Sequence, residues 1–378
     1  MASRGQLSSG TMRILYQGDM YSGQKYGGIT RYFDNVISHL PDSVTPVLTS
    51  AKSRLEHARI SNPQLKLFRL RRFRPWRLYS LVESAHVRAV TRLVRADVFH
   101  PTYYSYLASA GRWPRCPVVL TVYDMIHELL PHEAGGYADS RRKIAEKASV
   151  IPRADALICI SEHTRKDLMA FFPTVPSSRI CVIPLATDLH VTEAMGPTLT
   201  QHKPYFMFVG GRSPYKNFVR LLKAFSLLVV RHKDLELRVV GSSFTQEELA
   251  TISIMGIPDN VHNVGHLPDN ALARCYYNSL AFVCPSLYEG FGIPLLEAMA
   301  CRTAIAASDV SSIPEVAGDA ALYFDPYAVE DIAAKLLQLV EDSTLRARLV
   351  AAGSVRVQAF SWSKTAEQTY QVYRQMTR

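Results

Sequence analysis

Short apolar, β-branched runs alternate with segments of helical period along most of this chain, and the alternation happens twice. That is the pattern of parallel sheets covered by helices on both faces. In the first half the strand candidates are Arg13–Gln17, Thr45–Leu48, Asp97–His100, Pro117–Thr121, Asp155–Ile160 and Arg179–Ile183. Helices are expected over Ile29–Leu40, Leu78–Val94, Tyr137–Val150 and Glu162–Phe171. Residues 191–203 carry Thr, Gly, Pro, Gln and His with little apolar periodicity and read as a linker. Beyond them come strands Tyr205–Val209, Leu235–Val240, Val261–Val264, Ala281–Cys284, Ala304–Ala306 and Ala321–Tyr323, interleaved with helices Tyr215–Arg231, Gln246–Ile254, Asp269–Ser279 and Pro294–Ala300. The expected class is α/β: two doubly wound domains, 12–190 and 204–355, face each other across a cleft, and 356–378 forms a last helix that packs back on the first domain. Open sheets of this kind bind ligands beyond the carboxyl ends of their strands, so sites should lie just after strands.

A length of 378 residues with 48% hydrophobic content suffices for two full cores. No apolar run approaches the roughly 18 residues of a membrane span. Residues 1–11 are too polar for a signal peptide and are left out of the fold, so a cytoplasmic location is expected. The six cysteines are scattered without C-x-x-C pairs and are expected as buried free thiols.

The net charge of +10 is unevenly placed. Between Lys52 and Arg95 stand twelve Lys or Arg against two acids, Glu56 and Glu83, so the whole surplus lies in one segment. Such a block suits an anionic partner: phospholipid headgroups, a pyrophosphate-linked substrate or nucleic acid. A solvated surface is the plainer reading. Its Arg69-Leu70-Arg71-Arg72-Phe73-Arg74-Pro75-Trp76-Arg77 stretch mixes cations with aromatic rings, which could rest on an anionic bilayer. The apolar stripe that follows, Leu78, Leu81, Val82, Ala85, Ala89 and Leu93, is read as core packing.

Three glycine-rich turns carry the chemistry. Gly27-Gly28 opens a helix after the first strand, where backbone N–H groups can approach a phosphate or carboxylate; a turn requiring positive φ would explain the pair equally well. Gly210-Gly211-Arg212-Ser213-Pro214-Tyr215-Lys216 places two cations four residues apart at a strand-to-helix turn, against the helix dipole, so something anionic should compensate. The stretch from Cys284 to Ala300 sets Glu289 in a loop with Gly290 and Gly292, and Glu297 one turn into the next helix. A carboxylate accepts hydrogen bonds from vicinal sugar hydroxyls, and the glycines allow backbone donors near a phosphate.

Glu289 and Glu297, with Gly290-Phe291-Gly292 between them, resemble the two-glutamate signature of the retaining, nucleotide-sugar-dependent glycosyltransferases of family 4, the group 1 enzymes of GT-B fold. Gly27-Gly28, the Arg212/Lys216 pair, and Ser308 through Pro314-Glu315-Val316 match as well, and the resemblance runs from Met12 over nearly the whole chain. It implies that Glu289 contacts the donor sugar, Glu297 the ribose, and Arg212 with Lys216 the diphosphate. Gly28, Gly290, Phe291 and Gly292 complete the implied donor pocket, and Gly265-His266-Leu267 is similar to the segment whose backbone meets the base. No cofactor and no metal are expected, because family members characteristically need none and the sequence has no Asp-x-Asp cluster. Many relatives have His before the Asp of Val122-Tyr123-Asp124; here it is Tyr123, which leaves Asp124 and His127 as candidates to orient the acceptor hydroxyl, with His100 a further imidazole.

The function expected is transfer of a hexose, mannose favoured with GDP as carrier, to a hydroxyl of a growing glycan or a polyprenyl-diphosphate-linked oligosaccharide of a bacterial surface polysaccharide. The expected partners are a nucleotide sugar, that acceptor and an anionic membrane surface under residues 52–95, and no nucleic acid. A nucleic-acid-binding module would account for the charge but not for Glu289 and Glu297. An epimerase or phosphorylase on the same fold would differ in forming no glycosidic bond from a nucleotide donor.

Overall fold

A computed structural model describes residues 11–23, 27–50, 59–70, 74–109, 113–191 and 203–377. Residues 1–10, most of the linker and parts of the basic segment, including Arg71, Arg72 and Phe73, lie outside the described residues.

The first seven strands are β1 (Met12–Gln17), β2 (Val44–Ser50), β3 (Lys66–Arg69), β4 (Val98–Pro101), β5 (Val119–Val122), β6 (Ala156–Cys159) and β7 (Ile180–Val182). All pair in parallel, in the order β3-β2-β1-β4 and then β5-β6-β7, and a Phe99–Val118 bridge joins the two ladders into one sheet. The second sheet contains β8 (Tyr205–Val209), β9 (Glu236–Val240), β10 (Val261–Gly265), β11 (Ala281–Cys284), β12 (Ile305–Ser308) and β13 (Ala321–Phe324), in the order β10-β9-β8-β11-β12-β13. Strands β4, β5, β6, β11 and β12 are buried along their whole length, which is why they read as unbroken apolar runs rather than as an alternation. In each sheet the winding reverses, between β1 and β4 and between β8 and β11, and the loops leaving β1, β8 and β11 are the glycine-rich turns. All six cysteines are free thiols; Cys159, Cys284 and Cys301 are buried and the other three half-buried.

Strand β3 was not expected, because its Lys66 and Arg69 break the apolar signal; an edge strand can carry such charges, which also discourage further strand pairing. The helix Trp76–Val94 corrects the sequence reading more sharply. Tyr79, Val87 and Val90 face the core, whereas Leu78, Leu81, Val82, Ala85, Ala89 and Leu93, expected as packing, are all exposed. This helix is apolar on two sides, and periodicity alone does not say which side meets the sheet.

The helix Trp362–Met376 lies against helix Gly28–Ser38. Its Tyr373 hydroxyl stands 3.1 Å from that of Tyr16 and 2.6 Å from Nδ1 of His100, and Thr365 donates to the Pro184 carbonyl at 2.7 Å. Across the cleft the two domains meet through side chain-to-backbone and side chain-to-side chain hydrogen bonds. Ser161 Oγ, the cap of helix Glu162–Phe171, donates to the Gly290 carbonyl at 2.7 Å. Glu315 receives the N–H groups of Glu162 and His163 at 2.7 and 2.9 Å, a carboxylate seated on the positive end of a helix from the other domain. Tyr288 donates to Asp167 at 2.7 Å.

Gly290 sits where these contacts converge. A Cβ at this position would stand 1.9 Å from the Tyr123 carbonyl oxygen and 3.2 Å from Cβ of Asp124. Both obstacles belong to the facing domain, so any side chain at 290 forces the domains apart. Gly290→Ala should therefore lower stability by about 1–3 kcal/mol in urea unfolding and enlarge the radius measured by small-angle scattering. An unchanged midpoint and radius would contradict this packing.

Candidate active site

The β8 and β11 loops are tied together before any ligand is considered. Asn217 adopts φ +59, and its buried amide donates to the carbonyls of Pro285 at 3.0 Å and Pro326 at 2.8 Å. Leu287 N–H donates to the Tyr215 carbonyl at 2.7 Å. This pinning brings Lys216 Nζ to 2.6 Å from Glu289 Oε1, which also accepts from Ser286 Oγ at 2.7 Å. The β12 loop closes the arrangement: Ser311, itself at φ +55, accepts from Glu289 N–H at 2.9 Å, and Ser312 donates to its carbonyl at 2.8 Å. Burial by itself would lower the Lys216 ammonium, but the Glu289 carboxylate and Tyr215 outweigh it and hold this lysine above its ordinary range.

Arg212 points elsewhere. It forms a two-pronged pair with Glu248, Nε to Oε1 at 2.6 Å and Nη2 to Oε2 at 3.1 Å, and Nη2 also reaches the Ser243 carbonyl. Its Nη1 is buried without a hydrogen-bond partner, close to Gly241. Gly241 is itself packed on the β8 turn, where a Cβ would lie 2.6 Å from the Gly210 carbonyl oxygen. An unpartnered guanidinium nitrogen beside two glycines is a donor in want of an acceptor. His266 is exposed and Leu267 half-buried after Gly265, whose φ is +73.

Glu297 is buried and spans the cleft. Its Oε1 accepts from Arg31 Nη1 at 2.8 Å and its Oε2 from the Tyr276 hydroxyl at 3.1 Å. Burial raises its carboxyl above the ordinary glutamate range even though Arg31 pulls the other way. Arg31 belongs to helix Gly28–Ser38 of the first domain and keeps its Nη2 buried and without a hydrogen-bond partner. Gly28, at the start of that helix, faces Ile293, with room for a Cβ at 3.5 Å. The glycine turns thus differ in purpose: Gly290 serves domain approach, while Gly292, at φ +91, ends the loop as the cap of helix Ile293–Ala300. The Phe291 side chain is buried edge-on against Phe360, so only its backbone remains for a ligand.

On the facing wall Asp124 is about one third exposed beside Gly290, and its Oδ1 accepts from Ile126 N–H at 3.2 Å. Lys147, almost wholly buried, donates to the Asp124 carbonyl at 2.8 Å and to Glu128 Oε2 at 2.9 Å, fixing this corner. His127 Nδ1 lies 3.0 Å from Ser140 Oγ, and Ser140 donates onward to the Pro131 carbonyl at 2.8 Å. With the serine proton so committed, Nδ1 is the donor and Nε2 carries the acceptor lone pair. His100 is a core residue between Tyr373 and Thr121. Arg31, Lys147, Asn217, Glu248 and Ser311 were not singled out from sequence. Among the described residues no group of three or more His, Cys, Asp or Glu could hold a metal ion.

Two parallel sheets with facing carboxyl ends, cations after β8 and paired glutamates after β11 define a GT-B glycosyltransferase architecture. Residues 193–356 match the family model "Glycosyl transferases group 1", and 26–191 match "Glycosyltransferase Family 4". The chain belongs to this glycosyltransferase family. It is 31% identical to O-antigen chain mannosyltransferase B of Escherichia coli over 233 residues, 58% of this chain and 61% of that one, so the match spans less than two thirds of the relative. Alpha-maltose-1-phosphate synthase of Mycobacterium tuberculosis is 29% identical over 319 residues, 74% of this chain and 79% of that one. The solved structure of Anabaena HepE in complex with UDP and glucose shares the fold, with a TM-score of 0.76 at 18% identity over 96% of this chain and 100% of that one.

Burial drops the His100 imidazole to about 3. It drops His127 to about 4, with the Lys143 charge acting in the same direction. In the unfolded chain both take up protons near pH 6.5, so below that pH the unfolded state binds more protons than the folded one. The stability tied to neutral imidazoles is intact above about pH 6.5 and falls toward about pH 4, by about 1.4 kcal/mol per pH unit and histidine. Urea unfolding at about pH 7 and about pH 5 should show a smaller pH-dependent loss for His100→Gln than for the wild type; equal losses would contradict the assignment.

Proposed function

We propose that the chain is a retaining hexosyltransferase that takes a sugar, mannose favoured, from a nucleoside diphosphate and attaches it to a hydroxyl of a glycan or a lipid-linked oligosaccharide. The observation that carries this reading is the Lys216–Glu289 pair, held by the loops after β8 and β11 at the winding reversal of the second sheet. The kinship to an O-antigen mannosyltransferase supports the choice of sugar.

A diphosphate entering beside Gly210 and Gly211 offers Lys216 a stronger partner than Glu289, and offers the unpartnered Nη1 of Arg212 an acceptor. Glu289, so released, can accept hydrogen bonds from the donor sugar's hydroxyls, while Ser311 and Ser312 keep its backbone in place. Glu297 would receive the ribose hydroxyls and share its carboxylate with Arg31. Lys216 and Arg212 then stabilise the charge that grows on the leaving diphosphate, a role for which we propose that no metal is required.

In the reaction the bond from the anomeric carbon to the phosphate oxygen breaks. A bond to the acceptor oxygen forms on the same face, and the acceptor proton passes to the departing phosphate. Asp124, across from Glu289 and held by Lys147, orients the acceptor hydroxyl. His127, neutral at physiological pH, lies buried behind that wall with its Nδ1 on Ser140.

Lys216→Ala and Glu289→Gln should each lower kcat about 10²–10³-fold, measured per folded molecule because each also breaks the Lys216–Glu289 pair, assayed with GDP-mannose and a panel of other nucleotide sugars. Near-normal turnover in either variant would refute the role given to that residue.

A further inference from the structure

The outer side of helix Trp76–Val94 carries exposed apolar residues that the proposed function does not use. Leu78, Leu81 and Leu93 are 49%, 68% and 74% exposed, and Val82, Ala85 and Ala89 are exposed with them. At 100° per residue these positions share the side opposite Val87 and Val90, which are buried. From Leu78 to Leu93 the stripe extends for about 22 Å along the helix. An apolar surface of this length on a water-facing helix marks a contact site.

The charges around it select the occupant. Exposed Arg88 and Arg92 flank the stripe or lie within it, and exposed Arg74 and Arg95 stand at its ends. From Lys66 to Arg95 the only acid is Glu83, which is half-buried, with Oε1 3.5 Å from the Gln17 amide on β1. A second copy of the chain, docked by a two-fold axis on this face, would set arginine against arginine with no acid between them. An anionic bilayer avoids that conflict: leucines enter the acyl boundary while guanidinium groups stay at the phosphates.

We propose that the outer face of helix Trp76–Val94 docks on anionic phospholipid, with the helix lying in the membrane plane. The chain enters this helix after β3 and leaves it for β4, two parallel strands, so the helix runs against the strands and its Arg74–Leu78 end lies on the cleft side of the sheet. A lipid-linked acceptor could therefore reach the cleft from the surface on which the helix rests. This surface is independent of the donor pocket, so its failure would leave the glycosyltransferase reading intact.

The test is co-sedimentation of the full chain with phosphatidylcholine vesicles, with and without phosphatidylglycerol. Binding should require the anionic lipid and weaken with added salt. Leu81→Ser/Leu93→Ser and, separately, Arg92→Glu should each reduce partitioning about tenfold at an unchanged unfolding midpoint. Leu227→Ser/Val230→Ser, which alters exposed apolar residues of the other domain, should leave it unchanged. Three results would overturn the proposal: equal capture by phosphatidylcholine alone, wild-type binding by both helix variants, or a dimer that the leucine variant dissociates without any vesicle binding. Nucleoside-diphosphate binding, measured on the same samples, reports separately on the donor pocket.

Discussion

A lysine and a glutamate, both mostly buried, share a 2.6 Å contact after β8 and β11, and the rest of the pocket is arranged around them. Each alone would be a costly charge to take out of water; together they are tolerable because each satisfies the other and Ser286 and the Lys216–Asn217 turn hold the geometry. The winding reversal between β8 and β11 supplies the crevice, Asn217 stitches its two lips together, and the β12 loop holds Glu289 from behind. One residue further along, Gly290 lets the Tyr123 backbone approach, and this brings Asp124 to the same place. The ion pair and the domain contact are thus neighbours in one loop, and a ligand that separates Lys216 from Glu289 acts where the domains touch.

Each wall of the cleft carries paired charges. In the second domain Lys216 pairs with Glu289 and Arg212 with Glu248, whereas in the first Asp124 and Glu128 hold the buried Lys147 and Glu146 pairs with the exposed Arg142. Burial raises the Glu146 carboxyl, with Arg142 pulling it back and Asp19 adding to the rise; one oxygen of Glu146 and one of Glu128 are buried without a hydrogen-bond partner. Cations suit a diphosphate, and a wall rich in acceptor oxygens suits hydroxyl groups. The basic surplus of the sequence falls within residues 52–95, of which Arg88, Arg92 and Arg95 are exposed on or just after helix Trp76–Val94.

Much of this was legible in the sequence because it is local. The two parallel sheets announced themselves as alternating short apolar runs and helical stretches, and Lys216, Glu289 and Glu297 stood out beside glycines that only a turn or a close approach explains. What was not legible depends on partners far along the chain. Arg31 is an ordinary helical arginine until Glu297, 266 residues later, accepts from it. Lys147 looks like a solvated charge in a polar helix until Asp124 and Glu128 fold over it. Phe291 sits inside the motif yet packs on Phe360, because a residue between two glycines can turn to either side of the loop. The stripe on Trp76–Val94 was misread because both sides of that helix are apolar.

Calorimetric titration of the folded chain with UDP, GDP and ADP tests the central claim most directly. The account predicts that at least one of them binds at a single site and that the signal collapses in Lys216→Ala. Silence from every nucleoside diphosphate, or undiminished binding by the variant, would contradict it.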